Sequence, residues 1–268
     1  KRNLPRALII GAIIVVVVYV AYYIGLAGAL DSAVMMQNGQ EGAKLAFQNI
    51  FGKVGGAAVL AGHWNEFFYN ANILDAWVDG VRFTYGDDVK VSAIVGKSVN
   101  SGALLDGDFY AVNVATKVGV VDVSANWFKA EEAKFAKDGK EIYNVNVAFD
   151  VAKDTRLSYE YMWADKEYVD TVSKDGYWAR LDYKGADASV PGSYGVHAAY
   201  YDQPSNAILA PTYDLTNFYD EGGYKGWSVG VDYTVAKNVQ LCVNYYDTEA
   251  KGTSNEDQSV FTELYFFF

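Results

Sequence analysis

The chain has 268 residues, room for one large domain or two small ones, with 51% hydrophobic and 16% aromatic content and a formal net charge of −11. A mean hydropathy near zero excludes a bundle of apolar membrane helices, and the acidic balance repels phosphate backbones and argues against a nucleic-acid partner. A single cysteine, Cys242, excludes an internal disulfide framework and a cysteine-based zinc cluster. Abundant Tyr (22) and Gly (25) with little Pro (4) suit many strands, either in a soluble sandwich or in a membrane barrel with aromatic girdles.

The chain starts at Lys1, not at Met, and reads as a mature form or a fragment without a signal-peptide cleavage pattern. Ala7 to Leu30 carry no charge. At about 1.5 Å per residue this run is long enough to span a bilayer as a helix. Lys1, Arg2 and Arg6 flank its start and put that end in the cytoplasm. A transmembrane helix is expected, with a signal anchor or a buried strand pair as the alternatives. The stretch KRNLPRALIIGAIIVVVVYVAYYIGLAGAL, continuing through VMMQNGQEGAKLAFQNIFGKVGG, resembles one transmembrane segment and its following loop in bacterial amino-acid permeases of the amino acid–polyamine–organocation superfamily. The resemblance covers about residues 1–55. One helix cannot form the bundle of broken helices that holds substrate in such a fold, so it implies a transporter fragment and no transport activity.

After Gly52 the pattern changes to period two and stays so to the end, which sets a boundary between 1–52 and 53–268. Strands are expected at 54–64, 76–85, 89–98, 107–117, 120–130, 141–151, 155–165, 176–184, 193–202, 224–234, 238–248 and 258–268. In 227–234, Trp227, Val229, Val231 and Tyr233 oppose Ser228, Gly230, Asp232 and Thr234. In 143–151, Tyr143, Val145, Val147, Phe149 and Val151 oppose Asn144, Asn146, Ala148 and Asp150. Each segment thus has an apolar and a polar face.

Three features favour a membrane wall over a sandwich. The segments are about 10 residues long, the length of a tilted membrane strand, where globular strands run about 5–6. Trp127, Trp163, Tyr183, Tyr200, Trp227, Tyr233 and Tyr245 collect near the ends of the apolar faces, as an interfacial girdle would. Short links (Gly86–Asp88, Val118–Gly119, Ala152–Asp154, Gly185–Gly192, Val235–Lys237) alternate with long ones (Asn65–Asp75, Val99–Gly107, Ala130–Lys140, Lys166–Asp175, Asp202–Gly223, Glu249–Asp257). Bacterial barrels have short periplasmic turns and longer extracellular loops. The expected fold is therefore an all-β antiparallel up-and-down barrel of about twelve visible strands, closed or part of a larger one, crossing the outer membrane.

Strict alternation puts Asp79 on the apolar face with Val81, Phe83 and Tyr85. A bulge at Gly80 would return it to the lumen. With that bulge, the candidate pore-lining charges are Asp79, Arg82, Lys90, Lys117, Asp122, Asp150, Arg156, Glu160, Arg180, Asp182, Lys184 and Asp232. Opposed basic and acidic walls would sort solutes by charge, whereas the plainer reading leaves each charge simply solvated. The link Asp202–Gly223, with Pro204 and Pro211, has the length of a loop that folds over or into a mouth.

The chain ends SVFTELYFFF, with Val260, Thr262, Leu264, Phe266 and Phe268 on one face. That ending resembles the signal read by the barrel-insertion machinery, which would use Leu264, Phe266 and Phe268. The stretches LDAWVDGVRFTYGDDVKVSAIVG, SYGVHAAYYDQPSNAILAPTYDL, YKGWSVGVDYTVAKNVQLCVNYYDTEAKG and SVFTELYFFF resemble the porin domain of S-layer-homology-anchored, OmpM-like outer-membrane proteins of diderm Firmicutes, over about 54–268. The resemblance implies a passive channel for small hydrophilic solutes and ions, outer-membrane lipid as surroundings, and a homotrimer. In that family an S-layer-homology domain and a coiled-coil stalk precede the barrel. Residues 1–53 carry neither, so the resemblance extends to the barrel and not to the tether. The two resemblances belong to different membranes. A run as apolar as 7–30 would leave the export channel sideways into the inner membrane, so the sequence reads as a chimera, with a helix packed in or beside the lumen as the alternative.

Catalytic and metal chemistry find no motif. The two histidines, His63 and His197, lie outside any ligand-spaced cluster. Gly96-Lys97-Ser98 matches the end of a phosphate loop, but Val91 stands where its first glycine belongs. No cofactor and no enzymatic activity are expected; a structural or anchoring barrel is the alternative to a channel.

Overall fold

A strand points successive side chains to opposite faces, so a chain that alternates apolar and polar residues makes a two-faced sheet. The computed structural model describes residues 57–67, 70–99, 105–133, 136, 138–209 and 222–267. Their strands are β1 (Ala58–Phe67), β2 (Asp75–Tyr85), β3 (Val89–Val99), β4 (Leu105–Val118), β5 (Val121–Ala133), β6 (Lys140–Ala152), β7 (Thr155–Ala164), β8 (Asp175–Lys184), β9 (Tyr194–Pro204), β10 (Gly223–Ala236), β11 (Val239–Ala250) and β12 (Glu256–Phe266). They form one 12-stranded sheet in sequence order, an up-and-down meander with β1 and β12 at its ends. Apart from Ala58 at the start of β1, the strands belong to the compact unit Val59–Phe268. The helix expected over residues 7–30 lies outside the described residues. Among the described residues no helix is long and apolar enough to cross a membrane, which says nothing of a wall built from strands.

The ladders fix the faces. Asn126 pairs with Asn113 on one side and Asn144 on the other, and all three are buried. Trp227 pairs with Tyr200 and Val231 with Val196, and all four are exposed. One face therefore turns inward and the other outward. Contacts between distant strands show the curl: Asn70, in the β1–β2 link, reaches Asn146 and Glu160 on β6 and β7. Leu209 N–H donates to the Ile73 carbonyl.

The outward face is apolar through its middle and ringed by aromatics. Stacked or tilted pairs Tyr143–Trp163 (5.7 Å), Tyr177–Tyr200 (5.8 Å) and Trp227–Tyr245 (5.5 Å) mark the ring on the long-link side. Tyr85, Tyr183, Tyr194 and Tyr233 mark the short-link side. Amphipathic rings at both borders of an apolar band are what two water–lipid interfaces select.

Tight turns sit where the sequence supplies residues that tolerate a left-handed backbone. Gly119 has φ 63°, Asp154 φ 57° and Asn238 φ 64° at the β4–β5, β6–β7 and β10–β11 connections. The β8–β9 connection, residues 185–193, is longer than its short-link class and is built as a cap. Asp187 accepts from Ser189 N–H (2.8 Å) and Oγ (2.6 Å), which holds its carboxyl below the usual range. The same connection ties to the next hairpin through Asn238 N–H to the Ala188 carbonyl and Gly192 N–H to the Thr234 carbonyl.

Two expectations are corrected. The first described strand, Ala58–Phe67, runs past the end expected at 64; residues 54–56 lie outside the described residues. There is no bulge at Gly80: β2 and β3 pair without a shift from Trp77↔Val99 to Tyr85↔Val91, through Asp79↔Lys97 and Gly80↔Gly96. A bulge is unnecessary because Asp79 finds partners outside, as described below.

Candidate lumen and its constriction

The inward face has two zones. Toward the long links it is dry. Val78, Ile94, Phe109, Phe128, Ile142, Met162, Trp178 and Tyr224 pack with Ile73, Leu74, Ala207, Ile208 and Leu209 from two links that fold inward. Burying such apolar surface stabilises by about 25 cal/mol per Å². Polar clamps fix the two links. The Lys140 ammonium, at the start of β6, is 3% exposed and donates to the carbonyls of Ser205 and of Ile208 (2.7 Å). Asn206 accepts from the Tyr168 and Val169 N–H groups and donates to the carbonyls of Val169, Val172 and Ser173. One asparagine thus ties the β7–β8 link to the 3-10 turn Ser205–Ala207. The link expected over Asp202–Gly223 does fold into the mouth through its described part, 205–209; Pro211 lies outside the described residues.

Toward the short links the interior is open and charged. A cavity of about 860 Å³ is lined by Asp150, Arg156, Asp182, Lys184 and residues 190–194. A second, of about 380 Å³, is lined by Lys90, Lys117, Asp122, Arg156, Asn70 and Asn146. Arg156 lies between two carboxylates, bonded to Asp122 and 3.3 Å from Asp150. Lys117 stands 3.7 Å from Asp122, and Arg180 Nε donates to Asp182 at 2.8 Å. Arg82 pairs with the buried Glu66 carboxylate and lies 5.9 Å above the Trp64 ring. His197 bonds Asn244 at 2.8 Å and stands 4.0 Å from Asp232. Glu160 lies at the border of the two zones, 1% exposed.

Of the candidate lining residues, Arg82, Lys90, Lys117, Asp122, Asp150, Arg156, Glu160, Arg180, Asp182, Lys184 and Asp232 share the inward parity of their strands. Asp79 does not. It lies outward with Trp77, Val81 and Phe83, accepting from His63 Nδ1 at 2.7 Å, while His63 stacks on Trp77 at 5.0 Å. Lys97, its outward cross-strand partner, in turn reaches Asp108 at 3.3 Å. The inward charges are unevenly placed. Among the described residues β2 to β4 contribute the basic Arg82, Lys90 and Lys117, β5 to β8 contribute the ion-paired Asp122, Asp150, Arg156, Arg180 and Asp182 beside Lys140, Glu160 and Lys184, and β10 to β12 contribute Asp232, Asp257 and Glu263.

Sequence reasoning missed Glu66, Asn70, Asn72, Lys140 and Asn206. A signal existed: Asn72-Ile73-Leu74 and Asn206-Ala207-Ile208-Leu209 put Ile-Leu pairs inside links, where exposed loops are polar. Leu264 and Phe266 lie outward on β12 and are exposed, and Phe268 lies outside the described residues.

No protein-family model matches the chain, and no curated protein matches it. Solved structures do match in fold. Pseudomonas aeruginosa OccK5 (OpdH) aligns with TM-score 0.54 and 12% identity over 80% of this chain and 68% of that one. A variant of OccD1 (OprD) aligns with TM-score 0.48 and 14% identity over 75% and 57%. A variant of the Rh. blastica porin aligns with TM-score 0.45 and 15% identity over 70% and 55%, so the chain spans about half the length of that porin. At such identities the likeness is one of fold: an antiparallel, up-and-down, porin-type β-wall.

Proposed function

We propose that the strand region forms an outer-membrane channel through which small hydrophilic solutes and ions diffuse passively. The observation that carries this reading is the division of faces. An apolar outward band between two aromatic rings backs an inward wall whose short-link half is charged and open around cavities of about 860 and 380 Å³. An apolar outside suits lipid, and a charged inside has a use only where water and solutes reach it. Arg156, Arg180 and Lys117 and their carboxylate partners would set the field felt by a passing solute, and the links 70–74 and 205–209 would set the width. The finer assignment, to the porin domain of S-layer-homology-anchored proteins with insertion through Leu264, Phe266 and Phe268 and assembly as a homotrimer, is supported by the sequence stretches alone.

Liposome swelling tests this reading. The full chain, folded into liposomes, is expected to admit a small neutral sugar faster than protein-free liposomes do. Equal rates would count against a channel. A second reading, a structural or anchoring barrel with a closed interior, is favoured by one observation: the dry packing of Ile73, Leu74, Ile208 and Leu209 against the inward face. It predicts the equal rates.

A further inference from the structure

Glu160 is, with Glu66, one of two described carboxylates only 1% exposed, and its surroundings are unusual. It pairs across the ladder with Asn146 and lies beneath the inward link. Its partners are carboxamides. Asn72 Nδ2 (2.7 Å) and Asn70 Nδ2 (3.1 Å) donate to one carboxylate oxygen, and Asn144 Nδ2 (2.5 Å) donates to the other. Among the described residues no lysine, arginine or histidine forms an ion pair with it. Arg156 is four residues along the same strand, about 13 Å by the rise of a strand, and is engaged by Asp122 and Asp150. Lys140 is six residues from Asn146, about 20 Å away on the same measure. Buried charge is ordinarily paired with an opposite charge or bound to a metal, because desolvation is so costly.

The same amides carry a second anomaly. Asn72 and Asn144 are 0% and 2% exposed, and the Oδ1 atom of each lacks a hydrogen-bond partner. Buried acceptors without partners are rare in folded proteins. The amide oxygen and nitrogen exchange places by a half-turn about the last side-chain bond. That half-turn would aim the two unpartnered oxygens at the Glu160 carboxylate, an arrangement that needs a positive centre among them. The two Glu160 oxygens and the amide oxygens of Asn72 and Asn144 then face one point, while Asn70 stays held by its Nδ2 bond to Asn146. An all-oxygen set with one negative charge suits a hard cation of the sodium or calcium kind, not a soft transition metal.

We propose that Glu160, Asn72 and Asn144 form a binding site for a hard cation, which pins the inward link 70–74 to the wall at β6 and β7. The site needs no conducting lumen, so its test is separate from that of the channel. The full chain, folded in detergent, is treated with EDTA in choline chloride. Its thermal midpoint is then followed as CaCl2 or NaCl replaces choline chloride at constant ionic strength. The midpoint is expected to climb with the logarithm of one cation's concentration, as binding to the folded state requires. Glu160→Gln keeps the shape and removes the charge, so its midpoint should not respond; Asn72→Ala should respond at higher concentrations only. Should Glu160→Gln fail to fold, Asn72→Ala and Asn144→Ala decide the matter between them. A flat wild-type midpoint, or an equal response in the wild type and the variants, overturns the site. So does an infrared carboxylic-acid band in the wild type at neutral pH that is lost in Glu160→Gln, because a proton would then occupy the place assigned to the cation.

Discussion

Asp79 presents a carboxylate to the outside of the sheet, on the same face as Val81 and Phe83 and one pleat inward from Trp77. A charge on the lipid face of a barrel costs free energy that depends on depth, and less for Asp than for Lys or Arg. Here the cost is offset locally. His63 bonds the carboxylate at 2.7 Å and lies flat on Trp77, with an interplanar angle of 8°, while Lys97 stands opposite across the ladder. Moving Asp79 inward by a bulge would have broken a regular β2–β3 ladder and brought the carboxylate toward the packed Val78 and Ile94. Asp79→Leu is therefore expected to stabilise the folded protein by roughly 1 kcal/mol, read as a raised thermal midpoint in detergent or lipid. A lowered midpoint would mean that the His63–Asp79–Lys97 set makes a contact this account omits.

Elements differ in how far the sequence discloses them. Period-two alternation located β2 to β12 to within a few residues, because each strand has one face in an apolar layer and one in a polar or packed interior, and a register slip would exchange the two. The links were less legible. Residues 70–74 and 205–209 look like ordinary connections until their Ile-Leu pairs are seen to face the interior. Their anchors, Lys140 and Asn206, resemble surface residues in the sequence, since nothing local tells a buried polar clamp from a solvated side chain. The β8–β9 connection, sequence-short by its glycines at 185 and 192, is a hydrogen-bonded cap over the neighbouring hairpin. Lys140 offers the sharpest test at this scale. Lys140→Met keeps the aliphatic stem and leaves the carbonyls of Ser205 and Ile208 without that donor. An unsatisfied buried group costs about 1–3 kcal/mol. The variant is expected to lower the thermal midpoint and to speed hydrogen exchange selectively over 205–209. Uniform faster exchange over the sheet would instead show that Lys140 supports the fold at large and is no clamp on one link.

At the scale of the whole sheet, twelve antiparallel strands in sequence order separate an apolar outside from an inside that is dry toward the long links and charged toward the short ones. Hydrocarbon tolerates no unpaired backbone, so strands that cross it must be paired along both edges. The sheet order leaves β1 and β12 at its ends, and the Glu160 site, the Lys140 clamp and the charged cavities all lie on strands between them. The inward charges are basic on β2 to β4, mixed and partly ion-paired on β5 to β8, and acidic on β10 to β12, an arrangement that would orient a dipolar solute across the lumen. The measurement that bears most directly on the central claim is single-channel conductance of the full chain in a planar bilayer, in a salt gradient, beside Arg156→Gln. The channel reading predicts discrete ohmic steps, with the reversal potential of Arg156→Gln shifted toward cation preference as Asp122 and Asp150 lose their basic partner. A folded, β-rich, membrane-inserted protein that gives no steps would contradict the channel and leave a closed anchoring wall in its place.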